Sequence, residues 1–163
     1  MNVAALGMVA IRPAARADLG GLVTIERASF SDPWSVESFA SALTMDRMIV
    51  RVAEIPGERA GGDAPSLVGY VLALVLGEEG EIADLAVAPA ARRHGIGRLL
   101  MSQVLGDLEA RGVASVYLEV RESNTAARAL YASHGFLGVG RRSGYYRQPT
   151  EDALLLKREI GPG

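Results

Sequence analysis

Cysteine is absent from this chain of 163 residues, and its absence excludes several kinds of protein chemistry. There can be no disulfide framework, no cysteine-ligated zinc and no thiolate nucleophile. Histidine is scarce as well: only His94 and His134 are present, which is too few for the common structural zinc sites. We therefore expect no bound metal, and any group transfer should proceed without a cysteine-bound intermediate.

The sequence also lacks a strong charge of one sign and any long apolar run. Its formal net charge is −2, so the chain does not carry the basic field that is typical of nucleic-acid-binding proteins. No apolar run reaches the roughly 18 residues of a membrane span, and residues 1–10 lack the basic start of a signal peptide. We expect one domain over residues 1–163, located in the cytoplasm, with neither nucleic acid nor membrane as a partner.

The chain does contain a regular alternation of strand and helix patterns. Strands are predicted at residues 9–12, 48–55, 67–76, 81–87, 115–120, 139–146 and 153–159. Helices are predicted to begin at the caps Asp18 and Ser35, after the glycine loop near residue 97, and at Asn124, the last with Ala126, Ala127 and Leu130 facing inward. The turn Gly77–Gly80 makes its two strands antiparallel, whereas a helical crossover from Val87 to Ser115 makes the flanking strands parallel. The pattern predicts an α/β fold with a mixed, mostly antiparallel sheet of about seven strands and about four helices.

A basic loop with two glycines, Arg92-Arg93-His94-Gly95-Ile96-Gly97-Arg98, precedes the longest helical pattern. Glycines directly before a helix allow backbone N–H groups to approach an anion, which the helix dipole also stabilises. The arginines would oppose that dipole unless an anion lay among them. The loop therefore predicts a phosphate site, and a solvated basic turn is the alternative that these residues leave open.

Two familiar phosphate motifs do not match this loop. A P-loop requires a lysine and a hydroxyl residue after its second glycine, and neither is present. A dinucleotide fingerprint would need a third glycine where Leu100 stands, and its first glycine should follow the strand closely, whereas Ala88–His94 intervene. A dinucleotide-dependent oxidoreductase is therefore disfavoured, even though the acidic Glu119 lies about twenty positions further on.

The arrangement Arg92-x-x-Gly95-x-Gly97, after Ile82-Ala-Asp-Leu-Ala-Val-Ala-Pro89, resembles the acetyl-CoA signature of the GNAT superfamily of N-acetyltransferases. The segments Leu118-Glu-Val-Arg-Glu-Ser-Asn124, Ala129-Leu-Tyr131 and Gly135-Phe136 are similar to its bacterial RimI type, the ribosomal-protein-alanine N-acetyltransferases. The resemblance covers residues 11–157. It implies a GNAT fold with acetyl-CoA as cosubstrate. The expected acceptor is a protein N-terminus, that of a small-subunit ribosomal protein with an N-terminal alanine.

The resemblance also implies catalytic roles for Glu119 as the general base and Tyr131 as the general acid. From the residues alone, Glu119 could instead be a solvated glutamate paired with Arg121, and Tyr131 could be a core aromatic. Because no cysteine is available, the acceptor amine should attack the thioester directly in a ternary complex.

Further site residues follow from the same resemblance. The strand segment Asp84–Val87 is implied to splay from its neighbour at a bulge, which leaves backbone N–H groups for the cofactor and the thioester. The residues expected to bind acetyl-CoA are Leu85, Ala86, Val87, Arg92, Arg93, His94, Gly95, Ile96, Gly97, Arg98 and Asn124. The residues expected to border the acceptor are Trp34, Asp84, Tyr145 and Tyr146. Asn124 has a simpler alternative role as a helix cap, and the aromatic residues could be ordinary packing.

Two alternative functions are compatible with these motifs. The same fold could acetylate a small-molecule amine or a lysine side chain, because loops decide the choice of acceptor. A non-catalytic acyl-CoA-binding sensor would keep the glycine loop but would need neither Glu119 nor Tyr131, and both residues are present.

Overall fold

The computed structural model describes residues 7–56 and 66–161, so most of the predicted loop at 56–66 lies outside the described residues. The strands are β1 (Ala10–Pro13), β2 (Met48–Ile55), β3 (Ser66–Leu76), β4 (Glu79–Val87), β5 (Ser115–Arg121), β6 (Leu137–Tyr146) and β7 (Glu151–Glu159). The α-helices are α1 (Leu19–Ser29), α2 (Val36–Thr44), α3 (Ile96–Ala110) and α4 (Thr125–Ser133). All predicted elements are present in the predicted order, and β4 begins inside the predicted Gly77–Gly80 turn because Glu79 already pairs with Leu76.

The strands form a single mixed sheet in the order β1-β2-β3-β4-β5-β7-β6. Strands β4 and β5 are parallel, because the crossover helix α3 connects them, and the other described pairs are antiparallel. The mixed, mostly antiparallel sheet that the sequence predicts is therefore confirmed. No helix in residues 7–56 and 66–161 has both the length and the apolar character needed to cross a bilayer.

Helices cover both faces of the sheet and divide the core in two. On one face α3 buries side chains at helical spacing, namely Ile96, Leu100, Met101, Val104 and Leu108. On the other face α1 and α2 bury Leu22, Val23, Ile25, Phe39 and Ala42 against β2 and β3. Because α1 and α3 lie on opposite faces of β4, a ligand at the end of that strand would meet both helices.

Asp18 does not cap α1 in the predicted way. Its two carboxylate oxygens accept hydrogen bonds from Arg12 at 2.8 and 2.9 Å, and Oδ2 also accepts one from the Ala15 N–H at 2.7 Å. The guanidinium lowers the pKa of Asp18 and occupies the oxygens that a cap would use. The cap predicted at Ser35 is confirmed, because its hydroxyl accepts the Ser38 N–H at 3.1 Å.

The inward face of α4 differs from the prediction by a fraction of a turn. Ala127 and Leu130 are half-buried as expected, but Ala126 is exposed and Tyr131 is the buried residue of this helix. Residues three and four apart share a helix face, so the large Tyr131 ring together with Ala127 sets the orientation. The prediction for Ala126 was therefore wrong.

Candidate active site

The site begins where β4 and β5 separate. They pair only over Glu79–Ile82 and Ser115–Leu118, after which β4 remains paired with β3 and β5 with β7. The register of β3 against β4 shifts at this point, since Leu72 pairs with Asp84 and Ala73 with Ile82, which leaves Ala83 as an extra, bulged residue. Alternate backbone N–H groups on the rest of β4 therefore face a gap in place of a neighbouring strand.

The glycine loop adjoins this gap at the start of α3. Gly95 is the N-cap and has a left-handed φ of 80°, which residues with a β-carbon rarely adopt. The first helical hydrogen bond runs from the Leu99 N–H to the Gly95 carbonyl at 3.1 Å. The N–H groups of Ile96, Gly97 and Arg98 consequently have no helical acceptor and point outward at the positive end of the helix.

Helix α4 can pack closely beside the loop because Gly97 has no side chain. A β-carbon there would lie 3.2 Å from Leu130 Cδ2, on α4. The side chains of Arg93, His94 and Arg98 are exposed around the same backbone, whereas the Ile96 side chain is buried and can offer only its N–H. This combination of unpaired N–H groups, cations and close backbone approach fits the pyrophosphate of a coenzyme A ester.

Arg92 has a different position from the other arginines of the loop. Its Nε donates to the Val87 carbonyl at 3.0 Å, and its Nη2 donates to the Ser29 hydroxyl at 3.2 Å. Arg92 therefore connects the end of β4 to the end of α1 and braces the loop.

Glu119 lies on β5, on the face opposite the buried Val120, and its side chain is 21% exposed. Its Oε1 is 3.0 Å from Nε of Arg142, on β6. The hydroxyl of Tyr145 also faces this carboxylate, and its interaction with Glu119, followed by burial, raises the pKa of Tyr145. Glu119 thus has a cation and a phenol beside it.

The pairing of Glu119 with Arg121 that the sequence left open does not occur. Arg121 is held by Glu151, with Nη1 3.3 Å from Oε1, and Nη2 donates to the Arg147 carbonyl at 2.7 Å. Residues two apart on a strand are separated by nearly 7 Å, and Arg121 has nearer acceptors. The partner from β6 could not be predicted, because β7 lies between β5 and β6.

Tyr131 projects from α4 into the core and is 7% exposed. Its ring packs edge-on against Phe136 at a centroid distance of 5.9 Å. Burial raises the pKa of Tyr131, with further contributions from Asp84 and Tyr146. The phenol is therefore held in its protonated form, in which it can donate a hydrogen bond or a proton to a developing anion.

Tyr146 interacts electrostatically with both predicted catalytic side chains. Burial raises the pKa of Tyr146 to about 12, and the largest charge effect comes from Glu119, while Tyr146 itself acts on Tyr131. Its ring meets that of Tyr145 at 5.1 Å and lies under the Arg121 guanidinium at 4.5 Å. The paired tyrosines thus place the β6 end beside Glu119.

Asn124 and His134 hold α4 in place. The Asn124 side-chain oxygen accepts the Ala127 N–H at 3.1 Å and so caps the helix. His134 Nδ1 lies 3.0 Å from the Leu130 carbonyl, and its Nε2 lies 3.5 Å from the Ser102 hydroxyl of α3. The helix-cap interpretation of Asn124 describes its contact in this structure.

Trp34, which is predicted to border the acceptor, lies on the α1 side of the site. Its ring packs against Phe39 at 5.4 Å, and its backbone N–H donates to Oε1 of Glu26 at 3.2 Å. Glu26 is 1% exposed and also accepts a hydrogen bond from the hydroxyl of Tyr70, which is fully buried. Burial raises the pKa of Tyr70, and nearby Asp84 adds to the effect.

Asp84 lies on β4, on the side of the sheet that carries the buried Glu26 and Tyr70. Its Oδ2 atom is buried and has no hydrogen-bond partner among the described residues. Burial, followed by the neighbouring Glu26, raises the pKa of Asp84 well above the usual range of a carboxyl group. Sequence reasoning missed Glu26, although its position four residues after Leu22 puts a carboxylate on the apolar face of α1, which is unusual without a partner.

A splayed parallel strand pair beside a glycine-bearing helix start defines an α/β protein built to hold a phosphate-containing ligand at the edge of its sheet. A family model described as the acetyltransferase (GNAT) family matches residues 19–136. The chain is 33% identical over 147 residues to the [ribosomal protein bS18]-alanine N-acetyltransferase of Escherichia coli strain K12, covering 88% of this chain and 92% of that one. It is 38% identical over 159 residues to the N-alpha-acetyltransferase RimI of Mycobacterium tuberculosis, covering 94% of each.

Structural comparison agrees with these relatives. The crystal structure of the ribosomal-protein-S18-alanine N-acetyltransferase from Escherichia coli superimposes with a TM-score of 0.83 at 32% identity, covering 96% of both chains. The chain therefore belongs to the GNAT family of acetyltransferases.

A side chain at residue 97 should weaken coenzyme A binding. We expect Gly97→Val to reduce the affinity measured by calorimetry at least about tenfold, since it blocks backbone approach and crowds Leu130. Gly106→Val is the matched control, because Gly106 lies in the same helix with open space around its β-carbon position. Equal affinities of the two variants would contradict the cradle assignment.

Proposed function

We propose that this protein transfers the acetyl group of acetyl-CoA to the N-terminal α-amine of a protein, and that its acceptor is the N-terminal alanine of a small-subunit ribosomal protein. One observation carries the proposal: Glu119 follows the last β5 residue that pairs with β4, and Tyr131 of α4 lies in the core cluster that Leu85 and Val87 at the end of β4 pack against. The activity of the Escherichia coli relative, an alanine N-acetyltransferase of ribosomal protein bS18, supports the choice of acceptor, and the Mycobacterium tuberculosis relative is likewise an N-alpha-acetyltransferase. Because ribosomal proteins are made in the cytoplasm, we place the enzyme there, as one domain over residues 1–163.

In this proposal the cofactor lies along the end of β4 and the start of α3. The N–H groups of Ile96, Gly97 and Arg98 bind the pyrophosphate, and Arg93 and His94 add exposed polar groups beside it. Backbone groups of Leu85, Ala86 and Val87, on the unpaired side of β4, receive the remainder of the cofactor and polarise the thioester carbonyl. Asn124 borders the cofactor while it caps α4, and Arg92 and Gly95 fix the shape of the loop.

The acceptor enters between two aromatic borders. Trp34 lies on the α1 side, and Tyr145 and Tyr146 lie on the side of β6. Asp84 stands at the splay between them, on β4. An N-terminal segment that passes between these borders reaches the gap where the thioester carbonyl is exposed.

The chemistry assigned to the side chains is a direct transfer. Glu119 takes a proton from the acceptor ammonium, and the resulting amine forms a C–N bond to the acetyl carbon as the C–S bond breaks. Tyr131 gives its phenolic proton to the departing thiolate, and the second proton of the nitrogen, which is lost as the amide forms, passes to the Tyr131 phenolate. Glu119 then releases its proton to solvent. Arg142 must release part of its contact with Glu119 when the acceptor ammonium arrives.

Acceptor choice is tested by offering acetyl-CoA with several classes of amine and reading the products by mass spectrometry. The panel contains N-terminal peptides beginning with alanine, the same peptides blocked at the α-amine but carrying lysine, and small polyamines. We expect acetylation of the free alanine α-amine only. Transfer to lysine or to small amines would replace the proposed acceptor, and absence of any product would favour a non-catalytic acyl-CoA-binding sensor.

Removing the proposed base should impair turnover without impairing cofactor binding. We expect Glu119→Gln to lower kcat by roughly ten- to ten-thousand-fold in a steady-state assay, because the amide keeps the size of the side chain but cannot take the proton. Glu79→Gln, an exposed glutamate at the far end of β4, serves as the control. A Glu119→Gln enzyme with wild-type rates across the pH range would assign the base elsewhere.

The proposed acid is tested by Tyr131→Phe, which keeps the packing against Phe136 and deletes the hydroxyl. We expect a loss of about tenfold or more in kcat, kept modest because a thiol with a pKa of about 8.5 is a fair leaving group. An acetyl donor with a more acidic thiol should restore part of the variant's rate and should change the wild type little. Tyr117→Phe, on β5, is the matched control, and a Tyr131→Phe enzyme as fast as wild type would make Tyr131 a packing residue only.

A further inference from the structure

A buried polar cluster joins the wall of the acceptor groove to the splayed strand. Glu26 on α1 accepts hydrogen bonds from the Trp34 N–H at 3.2 Å and from the Tyr70 hydroxyl. Asp84, at the bulge of β4, pairs with Leu72 and therefore lies on the same sheet face as Tyr70, whose hydroxyl bonds to Glu26. Glu26, Tyr70 and Asp84 therefore connect α1, β3 and β4 at one point.

The unpartnered oxygen of Asp84 indicates how this contact is satisfied. Two ionised carboxylates offer only acceptors to each other, and Oδ2 of Asp84 is buried with no donor among the described residues. A proton on that carboxyl group converts the repulsive pair into a hydrogen bond in which Asp84 donates and Glu26 accepts. Glu26 then accepts from three donors, which is what a carboxylate that is 1% exposed requires.

We infer that Glu26 and Asp84 share a single proton at neutral pH, and that Glu26 is a positioning residue of the acceptor site, holding the Trp34 segment and the splayed end of β4 in fixed relation. This inference deepens the proposed function and rests on it for its effect on turnover. If the shared proton is lost, the two carboxylates repel each other across the gap between α1 and β4. The acceptor wall and the thioester-binding strand then separate, and transfer slows.

Among the described residues, the other titratable and charged groups around Asp84 are two tyrosines and an arginine, which do not titrate between pH 5 and pH 8. Tyr70 faces Asp84 from β3 and Tyr131 faces it from α4, and burial raises the pKa of each phenol above its usual range. Arg92 contacts Ser29, one turn beyond Glu26 on α1. Between pH 5 and pH 8, wild type and Asp84→Asn therefore differ in one ionisation, the loss of the shared proton.

The retained proton predicts a pH-dependent difference in thermal stability. An acid whose folded-state pKa lies above its unfolded value contributes stability below the unfolded value, and that contribution is lost as pH rises toward the folded value. Asp84→Asn has no such ionisation, and its amide can donate to Glu26 as the acid does. We expect the Tm of Asp84→Asn minus that of wild type to increase by on the order of 5 °C between pH 5 and pH 8.

Asp18→Asn is the control for this measurement. The pKa of Asp18 is lowered by Arg12, so Asp18 is ionised in both folded and unfolded chains over this interval, and its Tm difference should stay constant. A constant difference for Asp84→Asn as well would overturn the shared proton. The comparison of Tm values needs no enzyme activity, so it tests the shared proton even if the proposed function is wrong.

The positioning role is read from the pH profile of kcat/KM for an alanine-terminated peptide. Wild type should lose activity on the alkaline side as the shared proton leaves, and Asp84→Asn should lack that decline. Asp84→Asn should also keep about tenfold more activity at neutral pH than Asp84→Ala, because only the amide replaces the donor to Glu26. An unchanged alkaline decline in Asp84→Asn, or equal losses in the two variants, would overturn the positioning role. Absence of acetylation by wild type on every peptide would instead contradict the proposed function.

Discussion

The bulge at Ala83 is the constraint on which the rest of the site depends. One extra residue opposite β3 changes the direction of β4, and the parallel pairing with β5 ends at Ile82. A continuous parallel ladder would consume the backbone N–H groups that an ester ligand needs. The sheet gives up a few hydrogen bonds at this position and gains a polar slot inside an otherwise apolar layer.

The helix after β4 begins in a way that suits a phosphate-bearing ligand in that slot. Gly95 adopts the left-handed conformation that starts α3, and Gly97 lets α4 approach to van der Waals contact through Leu130. The same close packing of α4 against α3 brings Tyr131 toward the slot. Cofactor cradle and candidate acid are therefore parts of one packing arrangement, because both depend on the position of α4 against α3.

Charge near the slot is distributed in two distinct ways. On the open side Glu119 is half-buried and meets Arg142 and Tyr145, so its charge is compensated by groups that an acceptor can displace. On the α1 side Glu26 is buried and the Oδ2 atom of half-buried Asp84 has no partner among the described residues, so the inferred shared proton compensates the two carboxyl groups. Partners that an acceptor can displace suit Glu119 as the proposed base, whereas the fixed contact between Glu26 and Asp84 suits a rigid border of the acceptor site.

The sequence by itself determined the order of elements, the mixed sheet, the glycine loop before α3 and the family, because these depend on local periodicity and on motifs that are contiguous in the chain. It also placed Glu119 and Tyr131 on the correct elements. Only the tertiary structure decided that Glu119 pairs with Arg142, two strands away, and that Glu26 meets Asp84 across two elements. Those contacts join residues far apart in sequence, and strand order, helix rotation and burial, which no local pattern records, set the distance between them.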